Sequence, residues 1–261
     1  MEVHHHPHVG KKNIKEYLLE GLMIFLAVSM GFIAENIREK VIENERAEEL
    51  AKVLYEEVKT DSVNMVAILQ LRDYKEEALK HLIQYFKDSS LTNPTQSFYT
   101  SFTWFNNTAN VFEPNDGMLD QLKNSGALRY FKDLQLQKDI ANFGKQINLI
   151  RTRNANEYTF TVTIGRQFSI KHFDFEWFQL LIENGKYSLI ESLLQKRVDK
   201  IIDTKPTIKN LASFNKDEAL GILGTNLLIF QFTRLSFYNK YITANHQLLE
   251  TLRNTYHIEK K

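Results

Sequence analysis

The sequence predicts an all-α protein in which one N-terminal transmembrane helix continues into a long stalk helix and an antiparallel helical bundle. Three observations support this fold class. An uncharged, mostly apolar run occupies residues 21–34, apolar residues then recur at spacings of three and four, and neither glycine nor proline occurs between Gly31 and Pro94. Because these two residue types weaken or break helices, their absence permits a very long uninterrupted helix.

Composition narrows the class of protein further. The chain has 261 residues, 43% of them hydrophobic and 25% charged, which are the values of a globular protein. Its 33 basic and 32 acidic residues leave a formal charge of +1 and no basic cluster. Because nucleic-acid affinity comes largely from clustered Lys and Arg, no nucleic-acid partner is expected. The lack of cysteine excludes disulfides, thiolate metal sites and cysteine nucleophiles.

A transmembrane helix is the first interpretation of residues 17–37. The apolar run alone is too short, since crossing the hydrocarbon core takes ~20 residues. Tyr17 and Ile37 extend it to 21 helical positions, a length of roughly 30 Å. Glu20 and Glu35 then fall near the ends, where their carboxylates reach the lipid head groups, so membrane lipid is an expected partner.

Two other interpretations of this run stay open. A cleaved export signal is one, because lysines precede the run and small residues occur at Ser29-Met30-Gly31. Against it, Glu20 interrupts the apolar run and the helical pattern continues past the cleavage point. A buried helix is the other, but apolar residues occupy every face of the segment.

The domain organisation follows from the first interpretation. Residues 1–16 form a short histidine-rich cytoplasmic tail, residues 17–37 the transmembrane helix, and residues 38–261 the stalk and an extracytoplasmic bundle domain. Basic residues flank both ends of the span, but acidic residues concentrate on its C-terminal side. This distribution favours an N-terminus in the cytoplasm.

The helices beyond the span are bounded by turn and capping residues. The first helix is expected to run from about Ile14 to Lys87. A helix begins after Pro114, with Asn115 or Asp116 as N-cap, and ends before Gly126. The stretch 97–105 fits a short helix or a strand equally well.

Three more helical stretches follow. One covers about 133–172, and another covers 175–204 with a break near Asn184. The last begins after Ser213 or Asn215 and continues to the charged tail. Its apolar part, 219–232, contains Asn226 and Gln231, which favour a core helix of the bundle over a second span.

Two sets of candidate residues lie near the N-terminus. His4, His5, His6 and His8 have side chains that bind Zn²⁺, Ni²⁺ or Cu²⁺, although a flexible tail lacks fixed geometry, and no cofactor is expected. Within the span, Ala27 and Gly31 form a small-xxx-small pair that lets two helices approach closely, which favours a homo-oligomer. The carboxylates of Glu20 and Glu35 either lie at the membrane interface or line a path for ions through the span.

An aromatic-rich stretch is the remaining candidate functional site. Its rings either form a surface that binds a ligand or partner, or they fill the end of the bundle core. Its aromatic residues are Phe98, Tyr99, Phe102, Trp104, Phe105 and Phe112. The sequence contains no GxSxG, HExxH, P-loop or GxGxxG motif, so no catalytic residue and no enzyme are expected.

Two stretches carry a family resemblance. Residues 11–61 contain Phe25–Val28, Gly31-Phe32 and Ala34-Glu35, and resemble the "FLAV-x-x-GF-x-AE" span of uncharacterised membrane proteins of Bacteroidota, which share a histidine-rich start. Their following "L-x-x-D-x-x-x-D" pattern is matched in part, since Glu57 replaces the first Asp. Residues 115–140 are similar to the "LK-x-SG-x-L" turn of related single-span proteins. The resemblance implies a single-pass protein of the bacterial inner membrane and supplies no activity.

The sequence therefore favours a membrane-anchored scaffold or accessory subunit of a bacterial envelope complex, with the bundle in the periplasm and an envelope protein as partner. Two alternatives stay open. One is a ligand-binding sensor, which the short N-terminal tail weakens because it leaves no room for an output domain. The other is a pore formed by oligomerised spans.

Overall fold

The computed structural model describes residues 13–95, 98, 101–102, 111–184 and 207–259. The chain divides into two compact units, residues 1–51 and residues 52–261. The predicted boundaries at residues 16/17 and 37/38 concern the membrane and stay predictions.

The described residues are helical and contain no strand, which confirms the all-α fold class. The helices are α1 (Ile14–Asp88), α2 (Gly117–Asn124), α3 (Leu134–Phe160), α4 (Arg166–His172), α5 (Phe175–Asn184), α6 (Lys216–Phe232) and α7 (Asn239–Tyr256). Single 3₁₀ turns occupy Ala127–Tyr130 and Leu211–Ser213. The expected long first helix is present. Within the stretch 97–105, Phe98, Ser101 and Phe102 are helical.

Two π-helical segments join neighbouring helices into longer ones. Thr161–Gly165 connects α3 to α4, and Thr233–Tyr238 connects α6 to α7. The predicted helix over 133–172 is therefore continuous. The last helix begins where expected, because the Asn215 side chain accepts hydrogen bonds from the backbone N–H groups of Asp217 and Glu218 at 3.0 and 3.1 Å. We refer to Lys216–Tyr256 as the C-terminal helix.

The second unit is built around three long helices: α1 from Lys52 onward, α3 with α4, and the C-terminal helix. Asn245 bonds to α1 near Val58, whereas Lys216 reaches Ser89, so the C-terminal helix runs antiparallel to α1. It is also antiparallel to α3, where Thr251 bonds to Asp139 and Thr233 to Glu157. Consequently α1 and α3 run in the same direction.

The start of α2 is capped by a residue far away in the sequence. Asp116 occupies the N-cap position, but its side chain makes no capping hydrogen bond. Instead Glu57 of α1 accepts from the Met118 backbone N–H at 3.0 and 3.2 Å. The two expected caps bind elsewhere, Asn115 to Asp61 and Asp116 to Arg151. A carboxylate from α1 therefore replaces the local cap and fixes α2 to the bundle.

Gly126 follows α2 with a positive φ of 69°, as the sequence predicts for a helix stop. Gly126→Ala is expected to destabilise the bundle by roughly 1–2 kcal/mol, because a Cβ strains the left-handed conformation. Gly221→Ala is the matched control. Gly221 lies in α6, and an added Cβ would meet nothing within 4 Å. Gly221→Ala should raise the free energy of unfolding by roughly 0.5–1 kcal/mol. Equal effects of the two variants in thermal unfolding would contradict this account.

Candidate functional site

The first unit presents an apolar helix surface that no part of it covers. The most apolar 18-residue window of α1 has a mean hydropathy of 1.9, and none of it is buried. Phe25, Leu26 and Phe32 are 66%, 48% and 69% exposed, and apolar residues on the other faces are similarly exposed. Because a water-exposed helix normally has a polar face, this segment needs apolar surroundings. We call residues 17–37 the anchor segment.

The C-terminal helix is also long and apolar enough to cross a membrane. Its most apolar window has a mean hydropathy of 1.2, and 22% of it is buried. Ala219, Leu223 and Phe230 are among its buried residues, and the first two belong to a core cluster with Leu79 and Leu82 of α1. Ala219 and Leu223 thus pack in the bundle core, whereas most of the window is exposed, so the choice between a core helix and a second span stays a prediction.

The two glutamates and the small-residue pair of the anchor segment, Glu20, Glu35, Ala27 and Gly31, are all exposed. Glu35 forms a two-point ion pair with Arg38, with N–O distances of 2.5 and 2.9 Å. A carboxylate paired in this way suits the end of an apolar segment better than its middle. Glu20 is exposed. Ala27 and Gly31 lie one helical turn apart, and a Cβ added at Gly31 would meet nothing within 4 Å.

The four N-terminal histidines lie outside the described residues, so metal binding by their side chains stays a prediction. Within the described ranges, no group of three or more His, Asp or Glu side chains is placed to hold a metal ion.

The aromatic candidates separate into two places. Phe98 and Phe102 are buried in the core cluster around Phe86. Phe112 packs instead against Tyr241, with ring centroids 5.0 Å apart. Tyr99, Trp104 and Phe105 lie outside the described residues. A cavity of about 10 Å³ borders Phe98, Phe102 and His172, which is the space of a single water molecule. A role of these residues in binding a ligand or partner stays a prediction.

A buried charged cluster in the second unit was not predicted. Arg72 is fully buried and donates two hydrogen bonds to the Glu157 carboxylate, at 3.0 and 3.1 Å. Its guanidinium lies between two rings, 4.1 Å from that of Phe230 and 4.9 Å from that of Tyr238. Thr233 donates a short hydrogen bond to the same carboxylate, and Arg153 lies 3.9 Å from it.

Lys75 completes this cluster. It is fully buried, with its Nζ 4.3 Å from the centre of the Phe230 ring. Burial, with the neighbouring charge of Arg72, lowers the pKa of Lys75 to about 7. We call the five residues Arg72, Lys75, Arg153, Glu157 and Thr233 the polar layer.

A second polar contact lies nearer the start of the bundle. The Asp61 carboxylate accepts hydrogen bonds from the Tyr241 hydroxyl at 2.6 Å and from the Asn115 backbone N–H at 3.0 Å. Burial raises the pKa of Asp61 and that of Tyr241. This contact ties α1, the C-terminal helix and the segment before α2 together.

The sequence does contain a signal for both polar contacts. Inward-facing positions of α1, all buried except half-buried Ile68, recur at alternating spacings of four and three through Asp61, Met65, Ile68, Arg72, Lys75, Leu79, Leu82 and Phe86. Three of these positions hold charged residues, whereas charged residues on a helix normally lie on its solvent face. If buried positions had been assigned from this repeat alone, the three charged residues would have been predicted to lie in the core.

Comparison of the chain with protein families, with curated proteins and with solved structures finds no match. The family resemblance of residues 11–61 and 115–140 therefore stays a prediction.

Proposed function

We propose that the protein is a membrane-anchored scaffold or accessory subunit of a bacterial envelope complex. In this proposal the anchor segment crosses the inner membrane once and the bundle lies in the periplasm. The role is structural and not enzymatic. The observation that carries the proposal is the anchor segment, whose apolar side chains are exposed on every face over a length that suits a bilayer.

The construction of the bundle favours a structural role. Each of the three long helices contributes a charged or polar side chain to the polar layer, and the aromatic core cluster fills the space beyond it. Such a core holds one arrangement of helices rigidly, which suits a domain that presents a fixed surface to a partner.

Orientation and oligomerisation rest on the sequence. Acidic residues dominate the C-terminal side of the span, and on that basis the proposal has the bundle outside the cytoplasm. The uncovered Ala27 and Gly31 surface suits close contact with a second copy of the same helix.

The mass of the full-length protein, extracted from native membranes in lipid nanodiscs, tests this function. We expect particles with two or more copies, alone or with a stoichiometric envelope protein. Ala27→Leu with Gly31→Leu should shift the particles toward one copy, because larger side chains separate the helices. Gly21→Leu on another face of the segment is the control and should change nothing. A single copy without a partner in the unaltered protein would contradict the proposal.

A further inference from the structure

Two helices carry matching stripes of exposed side chains. The α1 stripe comprises Glu49, Glu56, Val63, Val66, Ala67 and Gln70. The α3 stripe comprises Lys138, Lys145, Thr152, Ala155, Asn156 and Thr159. The members of each stripe share one helix face, because spacings of three, four and seven residues correspond to one or two helical turns. The spacings along the two stripes are identical, so each residue of one stripe has a counterpart in the other.

The charged residues of the two stripes have opposite signs and the same spacing. Glu49 and Glu56 are separated by two helical turns, as are Lys138 and Lys145, which is about 10 Å along each helix axis. The Glu49, Lys138 and Lys145 side chains have no hydrogen bond or ion pair in the part of the chain that the structure describes. The Glu56 carboxylate has an exposed contact with Lys59 at 3.7 Å, which is of the weak kind.

The remaining residues of the two stripes are uncharged and differ in size. Val63 and Val66 on α1 are 67% and 56% exposed, although the solvent side of a helix is normally polar. Their counterparts on α3 are the smaller or more polar Thr152 and Ala155. The Thr152 hydroxyl donates to a carbonyl of its own helix at 3.0 Å, so a valine can pack against it without leaving a donor unpaired. Small residues also let a second helix approach closely.

The direction of the helices allows the stripes to meet. Within one copy α1 and α3 run in the same direction. Copies anchored in one membrane by the same segment also point in one direction, a condition that rests on the function proposed above. With α1 of one copy parallel to α3 of its neighbour, a single alignment places both glutamates beside both lysines and the valines beside the small residues.

We propose that the α1 stripe of one copy binds the α3 stripe of a second copy. Because exposed charge pairs add little affinity, the glutamates and lysines chiefly fix the alignment of the helices. The contact joins two different surfaces, and every copy has both of them. Copies therefore add one after another, and the assembly closes into a ring or extends as a chain. The scaffold is then built through its bundle domain in addition to its anchor segments.

Single cysteines in the full-length protein test this contact, since the natural sequence has none. One copy carries Val63→Cys, a differently tagged copy carries Thr152→Cys, and the two are co-expressed and oxidised in native membranes. We expect a disulfide between the two tagged copies, because a disulfide needs Cβ atoms about 4 Å apart. Val63→Cys alone and Thr152→Cys alone should give none, because the proposed contact is between different surfaces.

Gln70→Cys controls for the alignment. Gln70 lies on the α1 stripe two turns beyond Val63, and its counterpart is Thr159. Gln70→Cys should form a disulfide with Thr159→Cys, and its yield with Thr152→Cys should be lower by about tenfold or more, because the sulfur atoms are then too far apart.

Charge reversal tests the role of the lysines and glutamates. Lys138→Glu with Lys145→Glu in the Thr152→Cys copy should lower the disulfide yield about tenfold, because two attractive pairs become repulsive. Glu49→Lys with Glu56→Lys in the Val63→Cys copy should then restore it. The control is Lys171→Glu with Lys240→Glu, which makes the same change of charge at exposed positions outside both stripes and should leave the yield unchanged.

The number of copies per particle, counted in nanodiscs from the same membranes, separates this contact from the function proposed above. Particles with two or more copies but no disulfide between Val63→Cys and Thr152→Cys would overturn the contact and leave the anchored scaffold intact. Particles with one copy would contradict both. Equal yields from the mixed pair and from either variant alone would overturn the contact as well, because they would indicate a symmetric contact or random collision.

Discussion

Glu157→Gln is expected to destabilise the bundle by about 3–5 kcal/mol, because the change removes the buried carboxylate that offsets the charge of Arg72. Arg72 is fully buried and Glu157 is 3% exposed, so water cannot replace the lost partner. The same change weakens the hydrogen bond from Thr233 and the attraction to Arg153. Thermal or denaturant unfolding of the full-length protein, followed by circular dichroism, measures the loss.

Glu77→Gln is the matched control for this prediction. It removes the same charge from an exposed pair with Lys80, in which the two side chains are 71% and 50% exposed. Exposed pairs contribute about 0–1 kcal/mol, so little change is expected. If Glu157→Gln were as mild as Glu77→Gln, the polar layer would not hold the three helices together.

The double variant Leu26→Asp with Val28→Asp is expected to release the protein from membranes. Each aspartate near the centre of a span costs roughly 2.5–3.5 kcal/mol on insertion scales, so the pair costs about 5–7 kcal/mol. Because about 1.4 kcal/mol corresponds to a factor of ten in an equilibrium, the protein should move from the alkali-washed membrane pellet to the supernatant.

Val53→Asp with Val63→Asp is the control for membrane release. These valines are 52% and 67% exposed in the second unit, and their replacement adds the same charge outside the anchor segment. The control should stay in the pellet. Retention of the Leu26→Asp and Val28→Asp double variant would show that the anchor segment is not what holds the protein at the membrane.

Local sequence patterns predicted the helices of this protein because the information that fixes them is local. Asn215 caps its own helix, Gly126 ends α2 with a positive φ, and α1 contains no helix breaker after Gly31. Asp116 occupies the N-cap position of α2 as predicted, but the capping hydrogen bond comes from Glu57, which lies about sixty residues earlier. No local rule brings such a residue to Met118.

The polar layer was missed for a different reason. The burial of Arg72 and Lys75 was not predicted, because isolated charges are expensive to bury. Their burial depends on Glu157 and Phe230, which lie on other helices and become neighbours only in the folded bundle. The exposed apolar surface of residues 17–37 could be predicted because it depends on composition and length alone, whereas its place in a membrane stays a prediction.

Cysteine scanning of residues 13–45 tests the membrane span most directly, and the natural absence of cysteine allows single substitutions without background. Each variant would be treated in intact inner-membrane vesicles with a membrane-impermeant maleimide, before and after permeabilisation. We expect positions near 22–32 to resist labelling in both conditions, and the two flanks to be labelled from opposite sides. Uniform labelling from one side across the whole stretch would contradict a transmembrane anchor.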